Sequence, residues 1–294
     1  MADYLIPCLL GLEKLVGDEV KKLGLRDVRV ENGRILCRGT DADAARLNLH
    51  LRCGARVLLV LGEFPAVSFE ELFQGTRAIA WEDYLPRDAA FPVKGYSISS
   101  QLHSVPACQS IIKKAMVERL KSRYRMEQFP ETGTKYQVRF SIFKDRAAIC
   151  LDTSGEGLYK RGYRAVGVEA PLRETLAAAM VLLSRYRGKD PFCDPFCGSG
   201  TIPIEAALIA RPVLTAASTR RNGRFSPRAS GWTRRTRRWI RSSTAAMTSG
   251  AATSTRAPST SPATTRARRA WRTRCALRSR TCGASAATAS SASS

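Results

Sequence analysis

Over the first 152 residues the apolar positions follow two periods, and each change of period marks an element. Tyr4-Leu5-Ile6-Pro7 reads as a short strand. From Gly11 to Leu23, the residues Leu12, Leu15, Val16, Val20 and Leu23 recur at helical spacing, with Glu13, Lys14, Asp18, Glu19 and Lys21 opposite, which predicts an amphipathic helix. Val28 to Val30 and Arg34 to Arg38 alternate around Asn32-Gly33, the strongest two-residue hairpin signal. Asp41 to Leu51 predicts a second helix, and the βαββα order implies a small antiparallel sheet covered by helices. The pattern then repeats in outline. It gives a strand over Arg56 to Glu63, a helix over Ser68 to Ala78, and a strand over Phe91 to Ser99 with Val93 and Ile98 as inward candidates. A long helix follows from Ser104 to Tyr124, then strands Tyr136 to Phe143 and Arg146 to Asp152 around Lys144-Asp145.

Further on, Pro191 to Ala210 reads P-F-C-D-P-F-C-G-S-G-T-I-P-I-E-A-A-L-I-A. It predicts a short buried strand to Asp194, a tight glycine loop, and a helix from Thr201 with Pro203 in its first turn. Gly198 and Gly200 permit positive φ and let a ligand approach the backbone, while a helix N-terminus aims free N–H groups at whatever lies above. No Lys follows the loop as a phosphate-cradling P-loop requires, and Pro203 stands where a dinucleotide fingerprint needs its third Gly.

Charge divides the chain. Of 48 basic residues, eighteen arginines fall in 211–294, which holds no Lys, Asp or Glu; the first 210 residues carry 30 basic against 25 acidic groups. No run of about 18 apolar residues suggests a membrane span, and no basic region precedes an apolar N-terminal stretch as in a signal peptide. Nine cysteines without a C-x-x-C pair read as reduced thiols of a cytoplasmic protein and give no metal site. The face of the 104–124 helix bearing Lys113, Lys114 and Lys121, with Arg123 and Arg125 at its end, could meet RNA phosphates or could be an ordinary solvated face.

The segment D-P-F-C-G-S-G-T (Asp194 to Thr201) resembles the first cofactor motif of S-adenosylmethionine-dependent methyltransferases acting on nucleic-acid amines. Arg161-Gly162-Tyr163-Arg164 and Ala170-Pro171-Leu172-Arg173-Glu174-Thr175-Leu176 resemble the linker and opening helix of the bacterial large-subunit ribosomal RNA guanine-N2 methyltransferase family. The element order before them is similar to a ferredoxin-like domain followed by a THUMP domain. The resemblance implies an α+β front (ferredoxin-like, 1–55; THUMP, 56–153), a linker (154–169), and the N-terminal part of an α/β Rossmann-like methyltransferase domain (170–210). It implies S-adenosyl-L-methionine held by Asp194, Pro195, Phe196, Cys197, Gly198, Ser199, Gly200, Thr201 and Glu205. It also implies 23S ribosomal RNA as partner, with Arg161 and Arg164 joining the basic helix as RNA contacts. A transfer RNA guanine methyltransferase and a non-catalytic RNA-binding fragment are the alternatives.

After Ala210 the periodicity disappears, which predicts a disordered tail. The family's Asn-Pro-Pro-Tyr-type catalytic motif does not occur; the only Asn after Asp152 is Asn222, and the only acidic residue beyond the glycine loop is Glu205. Ala252 to Pro262 (A-T-S-T-R-A-P-S-T-S-P) is what GC-rich codons for G-D-I-D-P-R-A-V-D-I-A give when read one base late. The in-frame peptide resembles the family's second, acidic cofactor segment, so the tail reads as a frameshift.

Overall fold

The computed structural model describes residues 1–163 and 172–210. The described residues divide into two units, one of residues 1–163, 172–192 and 197–210 and the other of Cys193–Phe196. The expected tail, 211–294, and the link through Arg164 to Pro171 lie outside the described residues.

The first unit opens with β1 (Ala2–Pro7), α1 (Glu13–Lys22), β2 (Arg26–Glu31), β3 (Arg34–Gly39), α2 (Asp41–His50) and β4 (Leu58–Pro65). It continues with α3 (Phe69–Ala78), β5 (Val93–Ile98), α4 (Val105–Tyr124), β6 (Val138–Phe143) and β7 (Arg146–Asp152). Helix starts follow local chemistry. Thr40 with Asp43 and Ser68 with Glu71 each form a capping box, satisfying orphan N–H groups of α2 and α3. The Asn32-Gly33 turn is where the pattern places it, with Gly33 at φ 72°.

All seven strands join one sheet in the order β2-β3-β1-β4-β7-β6-β5. Strand β4, assigned from sequence to the second domain, lies antiparallel to β1 and so completes the ferredoxin-like βαββαβ arrangement; its other edge pairs with β7. The sheet therefore runs without a break across residues 55 and 56. Strands β5 and β6 are parallel, joined through α4, and every other pair is antiparallel.

The helices cover one face. Tyr4, Ile6 and Ile35 from the first half, and Phe140, Ile142 and Ile149 from the second, join Val16, Leu47, Leu72, Ile112 and Met116 from the helices in one core. Each such side chain contributes about 1.5–3 kcal/mol by leaving water. The other face holds only a small cluster, Leu5, Leu36, Leu58 and Cys150, with Val60 beside it. The inward reading of Ile98 is corrected: it is 52% exposed. Val93 and Ile98 stand five residues apart, and strand side chains alternate, so the two cannot share a face.

Two helices follow the sheet, α5 (Glu174–Leu183) and α6 (Thr201–Ala210). Helix α5 has Arg173 as its N-cap, and Pro171, expected in its first turn, lies outside the described residues. Ala177, Ala178 and Ala179 are fully buried and let neighbouring elements approach closely. The strand expected over Pro191 to Asp194 is not formed: among the described residues these four have no strand partner, and they alternate between exposed and half-buried. A buried parallel strand exists only between neighbours that pair with it. Among the described residues no strand follows β7.

Candidate functional site

Helix α6 and the loop before it carry most of the residues singled out from sequence. The loop turns tightly: the Gly200 N–H donates to the Cys197 carbonyl at 2.7 Å, and the Ile204 N–H donates to the Gly200 carbonyl at 3.0 Å. Gly198 and Gly200 sit at φ 48° and 74°, the left-handed region that disfavours any side chain. A methyl group added at Gly198 would meet no described residue within 4 Å. Thr201 is the first helical residue rather than the residue before the helix; it is buried, its hydroxyl 3.0 Å from that of Ser199. In the second unit, the Asp194 carboxylate accepts from the Phe196 N–H at 3.1 Å, closing a local turn, and the Phe196 ring is 93% exposed. Pro195 and Cys197 are exposed as well.

Glu205, read as a cofactor contact, faces inward. It is fully buried, 3.1 Å from the guanidinium Nε of Arg161, and accepts from the Tyr163 hydroxyl at 3.0 Å. Arg161, read as an RNA contact, is 3% exposed and offers no phosphate a landing point. It also donates to the Arg52 carbonyl. Arg52 in turn donates to the Leu208 carbonyl at 2.8 Å, satisfying one of the orphan acceptors at the end of α6. Glu19 on α1 accepts from the backbone N–H groups of Arg52 and Cys53. This ionic cluster ties α6 to the ferredoxin-like half, and sequence reading missed it. Arg161 beside Tyr163 in the linker was the available signal, but the partners are far off in the chain.

Burial dominates the protonation equilibria of the cluster. It pushes the Glu205 carboxyl up against the opposing pull of Arg161, Tyr163 and Arg52. It pushes Glu19 up although Cys53 and Arg52 donate to it. Tyr163 is raised by burial and then by the Glu205 charge beside it. Arg52 is lowered by burial and by Arg161. Among the described residues, Arg161 Nη1 and Glu205 Oε2 are buried without a hydrogen-bond partner.

The basic side of α4 is largely answered within the fold. Lys113 donates to Glu131 at 2.6 Å and lies 3.6 Å from the centre of the Phe91 ring. Arg119 makes a two-pronged contact with Glu82, which also holds Arg123 at 2.9 Å. Lys121 lies 3.5 Å from Glu127, and Lys114 stands 5.9 Å from the centre of the Phe73 ring. Arg125 caps the helix in the left-handed region at φ 54°. Arg164 lies outside the described residues.

Three family models match along the chain: the RlmL ferredoxin-like domain over residues 3–58, the THUMP domain over 66–152, and the RMKL-like methyltransferase domain over 161–270. A Bacillus subtilis protein named as an RNA methyltransferase, YpsC, is 47% identical over 206 residues, which is 69% of this chain and 53% of the relative. The ribosomal RNA large subunit methyltransferase K/L of Psychromonas ingrahamii is 35% identical over 71% of this chain and 28% of its own length. The crystal structure of SMU.472, named as a methyltransferase and complexed with SAH, aligns at TM-score 0.69 with 44% identity. That alignment covers 73% of this chain and 57% of the other. The chain thus spans about half the length of YpsC.

Proposed function

From its membership of the THUMP-domain methyltransferases of the RlmL type, carried by three domain matches in one chain, we propose a role in RNA methylation. The reaction is transfer of a methyl group from S-adenosyl-L-methionine to the exocyclic N2 amine of guanosine in 23S ribosomal RNA, in the cytoplasm. The observation that carries the reading is the glycine tip. Two glycines in the left-handed region stand ahead of a helix, and no described residue lies within 4 Å of where a Cβ at Gly198 would sit. That arrangement fits a ligand held by backbone N–H groups. Asp194, Pro195, Phe196, Cys197, Gly198, Ser199, Gly200 and Thr201 are the residues assigned to the cofactor; Glu205 acts behind them, inside the fold. The bound cofactor supplies an electrophilic methyl group on its sulfonium. Support for the cofactor comes from SMU.472, complexed with SAH, and for the RNA from the K/L relative.

A second reading is favoured by one observation: past the glycine loop the sequence has no Asn-Pro-Pro-Tyr-type segment and no acidic residue but Glu205. Transfer to an amine needs an in-line approach and an acceptor for the amine protons. On this reading the chain as it stands grips RNA without modifying it. Calorimetry with S-adenosylmethionine and transfer of labelled methyl to 23S ribosomal RNA or transfer RNA decide between the two. The expected result is RNA binding without turnover by this chain, and labelling of 23S RNA once the alternative frame is restored after codon 210. If the restored chain neither binds the cofactor nor labels RNA, the methyltransferase reading fails. Labelling of transfer RNA instead of ribosomal RNA moves the substrate.

A further inference from the structure

The helix-free face of the sheet ends, at its β5 edge, in a patch that none of the domain matches explains. Strand register places Lys94, Tyr96 and Ile98 beside Arg139, Ser141 and Phe143. Tyr96, Ile98 and Phe143 are 50%, 52% and 45% exposed, although Ile98 and Phe143 sit directly opposite each other. On the next strand Arg146 pairs with Phe143 and is exposed. The Lys144 ammonium lies 5.4 Å from the centre of the Phe143 ring. Arg139 is held by Asp152, which leaves Lys94, Lys144 and Arg146 as the outward cations of this edge; Glu63 and, farther across the sheet, Asp3 are exposed acids on the same face.

The turn that presents Lys144 is the two-residue hairpin loop between β6 and β7. Lys144 and Asp145 take φ of 50° and 58° without a glycine. Asp145 is fixed there by three partners: its carboxylate accepts from the Gln101 N–H, its own N–H donates to the Ser100 hydroxyl, and its carbonyl accepts from the Ala66 N–H. Positive φ at both central residues is what a two-residue type I′ hairpin turn requires.

We propose that this edge is a stacking surface for single-stranded RNA: Tyr96 and Phe143 take bases, and Lys94, Lys144 and Arg146 take the phosphates between them. The identity of the ligand rests on the RNA reading above; the surface does not. Rings on an open sheet beside cations are what unpaired bases require. A second copy of the chain fits worse. Three half-exposed side chains fall far short of the roughly 800 Å² per partner that stable association buries, and facing copies would oppose like charges.

The test is fluorescence anisotropy with a short labelled single-stranded RNA and the full chain, at salt high enough to suppress the arginines of 211–294. Tyr96→Ala and Phe143→Ala are each expected to weaken binding about fivefold or more. Tyr96→Phe should retain it, and the salt dependence should stay the same. Lys144→Ala should instead lower the salt slope by about one. Ultraviolet crosslinks should map to peptides containing Tyr96 or Phe143. Unchanged affinity in the Tyr96→Ala, Phe143→Ala double variant, with its circular dichroism intact, overturns the proposal. So does self-association abolished by Ile98→Lys while RNA binding is untouched. Neither outcome touches the methyltransferase reading, which stands on cofactor binding and methyl transfer.

Discussion

The guanidinium of Arg161 lies 3.1 Å from the carboxylate of Glu205, and neither side chain reaches solvent. One comes from the linker after the sheet and the other from the helix behind the glycine loop. Through Arg52 the same cluster reaches the Leu208 carbonyl at the far end of that helix. The position of the loop is therefore set from below, by charge pairing inside the fold.

Breaking this pair should be costly. Arg161→Met leaves the Glu205 carboxylate buried opposite no cation but Arg52, and losing one partner of a buried pair costs about 3–5 kcal/mol. Urea denaturation should show the midpoint falling by a corresponding amount with the slope unchanged. Adding Glu205→Leu to Arg161→Met should recover most of the loss, since the uncompensated charge goes with it.

The Glu82 tie to α4 should give an acid limb to stability. The hydrogen bond from Arg119 leads the causes that hold its carboxyl below the ordinary 4.5. A carboxylate depressed in the folded state stabilises fully above its unfolded value, and that contribution disappears as pH falls through the folded one. Glu82→Gln should flatten the limb below about pH 4.5 and cost roughly 0.2–1 kcal/mol at neutral pH, as partly exposed pairs do. Thermal melts across an acid pH series measure both.

Cysteine accessibility should report on the glycine loop. Cys193 and Cys197 are exposed, whereas Cys37, Cys53, Cys108 and Cys150 are buried. Burial also pushes Cys37 and Cys150 up to about 12, far from the reactive thiolate. Brief alkylation followed by peptide mass spectrometry should modify Cys193 and Cys197 and leave the other four untouched. Slower alkylation of Cys197 in the presence of S-adenosylhomocysteine would place the cofactor at this loop.

Gly198→Val should separate binding from folding. A Cβ there meets no described residue within 4 Å, but the side chain must adopt a φ of 48°. The conformational cost is about 1–2 kcal/mol, paid locally at an exposed turn. The thermal midpoint should move little, while any heat of S-adenosylmethionine binding should vanish in calorimetry.

The reading of the tail as a frameshift is decided by the nucleotide sequence downstream of codon 210. The other frame is expected to encode an acidic segment opposite Ala252 to Pro262, followed by an Asn-Pro-Pro-Tyr-type motif. If neither appears, the tail belongs to this chain.

Most of the sheet could be read from the chain because its signals are local. Hairpin glycines, capping residues and helical stripes each act within a few positions, and the elements from Tyr4 to Asp152 fall where those signals put them. What escaped was decided at a distance. Strand β4 bridges the two halves because it pairs with β1 on one edge and β7 on the other, and no pattern within Leu58 to Pro65 announces both neighbours. Pro191 to Asp194 carries the composition of a buried strand but has no strand to pair with among the described residues. Arg161 and Glu205 looked like ligand contacts because charge in a motif suggests a partner outside the protein; their partner is each other. The left-handed glycines were legible because φ is a property of one residue.

Sharing β4 has a mechanical consequence. A plank glued along its whole length does not flex at the seam, so the first 152 residues carry load as a single lever. Any movement of the glycine tip relative to the sheet has to be taken up beyond Asp152, where the buried Arg52–Arg161–Glu205 rivet and the burial of Ala178 and Ala179 in the shared core both resist it.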